Sequence, residues 1–101
     1  MKSSSVLSMP SQSQQVVPVS RALSHSEACR IADLVLPRGR ARTVVIDLKD
    51  TAEATTSAFA RLVILRRLLL RTGRDLRLVN LRDRAASLYQ INRLAGVLPC
   101  G

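Results

Sequence analysis

Aromatic residues are nearly absent from this chain of 101 residues, which has no Trp and only one Phe and one Tyr, Phe59 and Tyr89. A hydrophobic core must therefore be built from aliphatic side chains, which a hydrophobic content of 47% can supply. Two aromatic residues far apart in sequence do not form a stacking platform for single-stranded nucleic acid. The length allows one small domain and is too short for two.

Groups that carry out catalysis are also scarce. His25 is the only His, and the sequence shows no evident Cys or Ser nucleophile beside it. Cys29 and Cys100 lack metal-ligand spacing, which favours two free thiols in a reducing cytosol. The carboxylates of the segment 47–53 are joined by no His, and there is no glycine-rich phosphate loop. We therefore predict no enzyme, no metal site, no cofactor and no small-molecule substrate.

Long apolar runs are missing as well. The longest one, LVILRRLLL, is interrupted by two Arg and is shorter than the about 20 residues that a membrane-spanning helix needs. The N-terminal MKSSSVLSMP lacks the apolar segment of a signal peptide. These absences predict a cytoplasmic protein that does not span a membrane.

Acidic residues are outnumbered by basic ones, 7 against 16, which gives a formal net charge of +9. Such an excess favours an acidic partner, which could be nucleic acid, an anionic membrane surface or an acidic protein, although a solvated Arg-rich surface explains it equally well. The Arg residues are scattered through every segment, which argues against a dedicated nucleic-acid footprint. An Arg-rich nucleic-acid-binding protein is kept as the alternative from another class.

The N-terminal region is predicted to contain a tail, an edge strand and a helix start. Residues 1–14 are rich in Ser and Gln, which is typical of a disordered tail. The β-branched run 15–20 contains Pro18 and is therefore expected at a sheet edge. Ser24 and Glu27 have the spacing of a capping box, which predicts a helix beginning there.

In the middle of the chain, this first helix should end at Pro37 and Gly39. The run 43–48, TVVIDL, is predicted to be a central strand buried on both faces. A second helix should cover residues 57–72 and end at Gly73, a residue suited to a left-handed backbone.

The C-terminal part adds a strand and a helix. DLRLVNL (75–81) alternates like a half-buried strand, Asp83 is expected to cap a last helix, and Gly96 should end that helix. The final VLPC could add a short strand. The expected inward face of the last helix comprises Ala85, Leu88, Tyr89, Ile91, Leu94 and Ala95.

The predicted order is β-α-β-α-β-α, which defines an α/β fold. Alternation of this kind implies a mostly parallel central sheet, here of about four strands, joined by right-handed crossovers. Because the first strand is expected at an edge, the three helices should lie largely on one face. A single domain is predicted over residues 15–101.

Three hydroxyl residues, Thr55, Thr56 and Ser57, stand where the second helix should begin, and we call them the hydroxyl cluster. Helix capping, anion binding at the helix N-terminus and phosphorylation are all physically reasonable roles for it. Capping is the simplest, and we expect Thr55 or Thr56 to provide it.

The second helix is expected to carry apolar residues on two sides. Ile64 and Leu68 should point away from the main apolar face, beside Arg61, Arg67 and Arg71. An exposed strip of this kind favours a partner-binding surface over simple solvation, although a helix packed under a neighbour would also explain it. Arg66 falls inside the apolar arc, so either it snorkels to solvent or the arc is narrower.

Several segments together resemble the STAS domain family. They are VVIDLKDTAEATTSAFARL, a strand, loop and helix start, then TGRDLRLVNL and a final RLAGVLP. The family includes anti-sigma factor antagonists and the cytosolic STAS subunits of bacterial phospholipid-transport ABC complexes. The resemblance covers about residues 15–100. It implies a function in binding another protein, with the anti-sigma role leading and the transporter role second.

The resemblance also implies which residues take part. The family loop typically reads Asp-Ser-[Ser/Thr/Gly]-Gly-Leu, and its first hydroxyl is phosphorylated by a partner kinase. Here Thr55 stands for the Asp, Thr56 for the phosphoacceptor, Ser57 for the next residue, Ala58 for the Gly and Phe59 for the Leu. The hydroxyl is kept, with Ser57 as a second phosphoacceptor candidate, and the Asp and Gly are lost.

A second departure lies in the first loop, where Gly-Glu-Leu-Asp of many family members is replaced by the segment 20–24, SRALS. The expected partner is an anti-sigma factor with serine-kinase activity, or alternatively an ABC ATPase subunit. The expected contact residues are Thr55, Thr56, Ser57, Ala58, Phe59, Arg61, Ile64 and Leu68.

Overall fold

A parallel three-stranded sheet forms the centre of the protein. The structure, a computed structural model, describes residues 14–37 and 41–101. Strands β1 (Gln14–Pro18), β3 (Thr43–Asp47) and β5 (Asp75–Val79) lie in the order β1-β3-β5, and both pairs are parallel. The prediction that TVVIDL forms the central strand and that the Pro18 strand lies at an edge is confirmed.

Two short strands form a second, separate sheet that the sequence patterns do not indicate. Strand β2 (Ala22–Leu23) pairs in parallel with β4 (Glu53–Ala54). The predicted strand at VLPC is reduced to a single bridge, in which Leu78 pairs with Cys100 beside β5. The expected sheet of about four strands is therefore a three-stranded sheet with one added bridge.

Three helices follow the strands, as predicted. They are α1 (His25–Val35), α2 (Thr56–Leu70) and α3 (Asp83–Ile91), and a 3₁₀ turn follows at Leu94–Gly96. The predicted helix start at Ser24 is confirmed, because the Ser24 hydroxyl accepts a hydrogen bond from the Glu27 N–H at 3.2 Å. Helix α2 ends before Gly73, which has the expected positive φ of 78°.

The helices lie on one face of the central sheet. Alternate strand residues, such as Val44, Ile46 and Leu78, are fully buried in the same cluster as the inward residues of all three helices. The opposite face, at the level of Val45, presents Val16 with 57% of its surface exposed. Burial of the central strand on both faces is confirmed, but only one of those faces is covered by helices.

Some predicted boundaries lie differently. The structure does not describe residues 1–13, so the predicted disordered tail lies outside the described residues except for Gln14, which begins β1. The stop at Gly39 also lies outside them, and α1 ends at Val35.

The prediction that Asp83 caps α3 is wrong. Arg82 occupies the cap position, and Asp83 is the first helical residue with φ of 52°. A capping side chain reaches the free N–H groups only from an extended backbone, which Asp83 does not have. Its carboxylate instead accepts a hydrogen bond from Arg82 Nε at 3.1 Å.

The predicted inward face of α3 is partly confirmed. Ala85 is buried, and Leu88, Tyr89 and Leu94 pack against the core. Ile91, by contrast, is 73% exposed, and Ala95 is exposed as well. The helix ends at Ile91 and the chain turns at Arg93, where φ is 52°, so that Leu94 packs inward in place of Ile91.

One buried guanidinium joins three elements of the fold. Arg74, which is only 6% exposed, immediately precedes β5. Its Nε donates to the Ala41 carbonyl at 2.7 Å, and its Nη1 donates to the Val35 carbonyl at 3.1 Å. Val35 is the last residue of α1, so the cation also faces the negative end of that helix dipole. Arg74 therefore holds the end of α1 and the approach to β3 against the start of β5.

Replacing Arg74 with Ala should lower the free energy of unfolding by about 2–4 kcal/mol, because two buried carbonyls lose their donors. The loss in the free energy of unfolding should be smaller for Arg74→Lys than for Arg74→Ala, since an ammonium keeps the charge but lacks the planar fork that serves both carbonyls. Urea denaturation of each variant measures the change. The exposed Arg84→Ala is the control and should stay within about 0.5 kcal/mol of wild type. An Arg74→Ala variant as stable as Arg84→Ala would contradict this role.

A second arginine fixes α2 against β5. Arg66, which sequence reasoning places inside the apolar arc, is half-buried and donates from Nε to Asp75 Oδ1 at 2.6 Å. Its Nη1 donates to the Val97 carbonyl at 3.1 Å. Partial burial of Asp75 raises its pKa, but the hydrogen bonds from Arg66 and from the Leu76 N–H outweigh burial and leave the pKa below its ordinary value. The ion pair therefore stabilises the folded state while Asp75 is ionised.

Because the folded pKa of Asp75 lies below its unfolded value of about 3.9, the stabilisation is complete above that pH. It should be lost as the pH falls through the lower folded pKa. In Asp75→Asn, which keeps an acceptor for the Leu76 N–H, the free energy of unfolding should decline less steeply with acidification. Urea denaturation between about pH 6 and pH 2 measures both slopes. Exposed Asp33→Asn is the control, and a slope for Asp75→Asn equal to that of wild type would contradict the expectation.

Candidate partner-binding site

The loop before α2 is held in place by a buried threonine. Thr51 is fully buried, and its hydroxyl lies 2.7 Å from the Ser20 carbonyl and 3.3 Å from that of Val19. Its own N–H donates to the Leu48 carbonyl at 3.0 Å. Thr51 therefore fastens the β3–α2 loop to the segment that follows β1. Sequence reasoning treats residues 49–55 only as a connection and misses this anchor.

The same loop is joined to the first βα loop by backbone hydrogen bonds. Ala52 donates to the Arg21 carbonyl at 3.0 Å, and Thr55 donates to that of Leu23 at 3.1 Å. Together with the β2–β4 pairing, these bonds bring the segment 20–24 beside the start of α2. The two loops in which this sequence departs from the STAS pattern therefore form one continuous surface.

All three residues of the hydroxyl cluster are exposed, and one of them caps the helix. Thr55 has an extended backbone and accepts from the Ala58 N–H at 3.1 Å, so the prediction that Thr55 or Thr56 caps the helix is confirmed. Ser57 is exposed, with its Oγ 3.3 Å from Thr55 Oγ1. Thr56 is the first helical residue and is exposed, and its hydroxyl makes no hydrogen bond within the part of the chain that the structure describes.

Replacing each hydroxyl in turn separates capping from other roles. Thr55→Ala should lower the free energy of unfolding by about 1 kcal/mol, because the Ala58 N–H loses its acceptor. Thr56→Ala and Ser57→Ala should change it by less than about 0.5 kcal/mol, as expected for exposed positions. Urea denaturation of the three variants measures this. If Thr56→Ala were the most destabilising, the assignment of the cap to Thr55 would be wrong.

The exposed surface of α2 continues from the hydroxyl cluster toward the end of the helix. Ile64 is 44% exposed and Leu68 is 39% exposed, in agreement with the prediction that both point away from the core. Three exposed arginines, Arg61, Arg67 and Arg71, lie beside them. We call these five residues the exposed α2 strip. Ile64, Arg67, Leu68 and Arg71 line a groove of about 320 Å³.

Two of the predicted contact residues lie elsewhere. Ala58 and Phe59 are buried and belong to the hydrophobic core. Helical spacing places them on the face opposite to the strip, so they support α2 from below. The exposed residues brought together on one surface are Thr56, Ser57, Arg61, Ile64 and Leu68, with Arg67 and Arg71 in addition.

The carboxylate of Asp47, at the end of β3, joins this strand to the residue that follows β5. Asp47 Oδ1 accepts from Asn80 Nδ2 at 2.9 Å and from the Lys49 N–H at 3.0 Å. The hydrogen bond from Asn80 and then that from Lys49 hold the pKa of Asp47 below its ordinary value. Asn80 has φ of 61°, which Asn tolerates better than most residues. The carboxylate is thus committed to joining the ends of β3 and β5.

His25, for which the sequence shows no evident Cys or Ser nucleophile, has one thiol close to its ring in the structure. Cys29 Sγ lies 3.6 Å from His25 Nε2, because the two residues are four positions apart on α1. The cysteines at 29 and 100 are both free thiols, as predicted. In residues 14–37 and 41–101, no group of three His, Cys, Asp or Glu side chains is arranged to hold a metal ion. Among the helices of the same residues, none is long and apolar enough to cross a membrane.

Solved structures with the same arrangement of strands and helices define the class of fold. The anti-sigma factor antagonist SpoIIAA in its unphosphorylated form matches with a TM-score of 0.74 at 13% identity, over 89% of this chain and 81% of that one. The phosphorylated form of SpoIIAA, a Bacillus cell fate determinant, matches with a TM-score of 0.64 at 14% identity, over 89% and 84%. A sulfate transporter family protein from Wolinella succinogenes matches with a TM-score of 0.69 at 11% identity, over 85% and 71%.

These likenesses establish that the chain has the STAS fold, as the sequence resemblance predicts. Neither a protein-family model nor a curated protein sequence matches the chain. Because the sequence identity to the solved structures is low, the likeness concerns the fold. The function has to be argued from the residues of the site.

Proposed function

We propose that this protein is a bacterial, cytoplasmic protein-interaction module of the STAS type that acts as an anti-sigma factor antagonist in transcription regulation. Its partner is an anti-sigma factor with serine-kinase activity, which contacts the hydroxyl cluster and the exposed α2 strip. The observation that carries the proposal is that Thr56 is exposed at the first position of α2, on the same surface as Ile64 and Leu68. The role is one of binding and not of catalysis.

Phosphorylation of Thr56 is the proposed switch. The capping role is filled by Thr55, so a phosphate on Thr56 leaves the cap intact. The dianion would lie at the positive end of the helix dipole, where it is compatible with the fold. It would also add close to two negative charges to the contact surface and expel the partner.

The departures from the family loop are compatible with this switch. Ala58 replaces the family Gly, and its side chain is fully buried in the core, so the extra methyl group is accommodated. Thr55 replaces the family Asp and keeps a capping oxygen at that position. Kinase recognition without the Asp carboxylate is the step that an experiment must test.

Incubation of the full chain with a cognate anti-sigma kinase and ATP should place a phosphate on Thr56, because its exposed hydroxyl, unlike those of Thr55 and Ser57, makes no hydrogen bond among the described residues. Mass spectrometry of the peptide that contains the hydroxyl cluster measures the modification. Thr56→Ala should abolish it and Ser57→Ala should leave it, unless Ser57 is the acceptor, in which case the two results are exchanged. A chain with phosphate on neither Thr56 nor Ser57 would contradict the proposed switch.

A regulatory STAS subunit of a lipid-transport ABC ATPase is the second candidate. It is supported by the fold likeness to a sulfate transporter family protein, and the exposed α2 strip would dock the ATPase. Co-purification separates the two candidates, because one predicts an anti-sigma factor with serine-kinase activity and the other predicts an ABC ATPase.

A further inference from the structure

The exposed α2 strip carries positive charge that the protein itself leaves without an ionic partner. Helix α2 contains three Arg and no acidic residue. Arg66 is paired with Asp75, whereas Arg61, Arg67 and Arg71 form no ion pair among the described residues. Residues 1–13 and 38–40, which the structure does not describe, contain no Asp or Glu. These three arginines are therefore available to carboxylates of another molecule.

The groove on the strip has the form of a helix-docking surface. Three of its four lining residues belong to α2 and the fourth, Arg71, is the residue that caps the C-terminal end of α2, so no second element encloses the groove. A small molecule would require an enclosed pocket that buries most of its surface. An incoming helix requires only one exposed ridge and groove, which Ile64 and Leu68 provide at a spacing of four residues.

A membrane surface fits the strip less well. An interfacial helix inserts a broad apolar face into the lipid. The broad apolar face of α2, which includes Phe59, Leu62 and Leu65, is already buried in the core. Only two aliphatic side chains, flanked by arginines, remain on the strip for a partner. This pattern is complementary to a narrow apolar seam with acidic borders.

We propose that the groove docks an acidic amphipathic helix of the partner protein. Aliphatic side chains of that helix pack against Ile64 and Leu68, and its carboxylates pair with Arg67 and Arg71. This inference rests on the proposed function, because it assigns the chemistry of the partner that the module binds.

The groove and the switch residue are separated along the helix. Thr56 and Ile64 are eight positions apart, which corresponds to about 12 Å along α2. Charges separated by more than about 8 Å at physiological salt are largely screened from each other when exposed. The affinity of the groove for its helix alone should therefore change little when Thr56 is phosphorylated, and the phosphate acts on the part of the partner that contacts the hydroxyl cluster.

A synthetic helical peptide with Leu along one face and Glu on both borders tests the proposal. Added to the ¹⁵N-labelled full chain, it should shift the amide resonances of residues 61–71 and leave those of α3 unchanged. The same peptide with Lys in place of Glu should bind at least about tenfold more weakly, since its positive charges are repelled by the arginines of the strip. Binding should also weaken as salt rises, because the Debye length shortens from about 10 Å at 0.1 M to about 3 Å at 1 M.

Paired variants locate the contact. Arg67→Glu with Arg71→Glu, and separately Ile64→Ser with Leu68→Ser, should each weaken binding of the Glu peptide by about tenfold or more. Matched controls are Arg84→Glu on α3 and Leu34→Ser on α1, both at exposed positions, and these should leave the affinity unchanged. Urea denaturation of every variant shows whether it is folded. Equal binding of the Glu and Lys peptides, or unchanged binding by the Arg67/Arg71 variant, would overturn the proposal.

Two further arms separate the alternatives. Vesicles of phosphatidylglycerol and phosphatidylcholine should bind more weakly than the Glu peptide, and the reverse order would show a membrane surface and overturn the proposal. Thr56→Glu should change peptide affinity by less than about threefold, since the charge is screened at that distance. If the peptide does not bind but the kinase phosphorylates Thr56, the proposal of a helix-docking groove would be contradicted and the proposed function would be retained. If the peptide binds but the kinase does not phosphorylate Thr56, the docking groove would be supported and the proposed switch would be contradicted.

Discussion

The packing of the fold depends on one buried cation, the guanidinium of Arg74. It donates to carbonyls at the end of α1 and ahead of β3, and it stands directly before β5. Both acceptors are backbone oxygens, so the contact fixes chain segments and not just side chains. The central strand β3 precedes the loop of the candidate site, and α1 packs on α2. A change at Arg74 should therefore affect the position of both β3 and α1, which support that site. Arg66 adds a second tie, from the middle of α2 to β5.

The candidate site is held in place by contacts of its own loop. Thr51 and the β2–β4 pair hold the loop before α2, so the hydroxyl cluster enters the helix from a fixed direction. Thr55 caps the helix from that position, and Thr56, the proposed site of modification, is exposed. Leu62, Leu65 and the other inward residues of α2 bury one face of the helix, which leaves the exposed α2 strip on the surface of the protein. The proposed switch and the proposed docking surface are thereby carried by one helix, α2.

Much of this arrangement could be predicted from local patterns. TVVIDL predicts a buried central strand because its apolar run is continuous, and Ser24 predicts the start of α1 because capping depends on residues only three positions apart. The exposure of Ile64 and Leu68 follows from helical periodicity. The predictions failed where the local pattern was ambiguous. Asp83 has a good capping side chain but a left-handed backbone, and Ile91 continues the apolar periodicity of α3 past the point where the helix ends.

The sequence by itself determined the order of the three strands of the central sheet and of the three helices, the aliphatic core, the excess of positive charge and the hydroxyl cluster at the start of α2. These properties depend on composition and on residues close together along the chain. Only the tertiary structure decided that Thr51 anchors a loop, that Arg66 reaches Asp75 and that Arg74 joins α1 to β3. The partners in these contacts are 9 to 39 positions apart. The residues next to a polar side chain in the sequence do not indicate which distant oxygen it will bind, because packing of the core brings the two together.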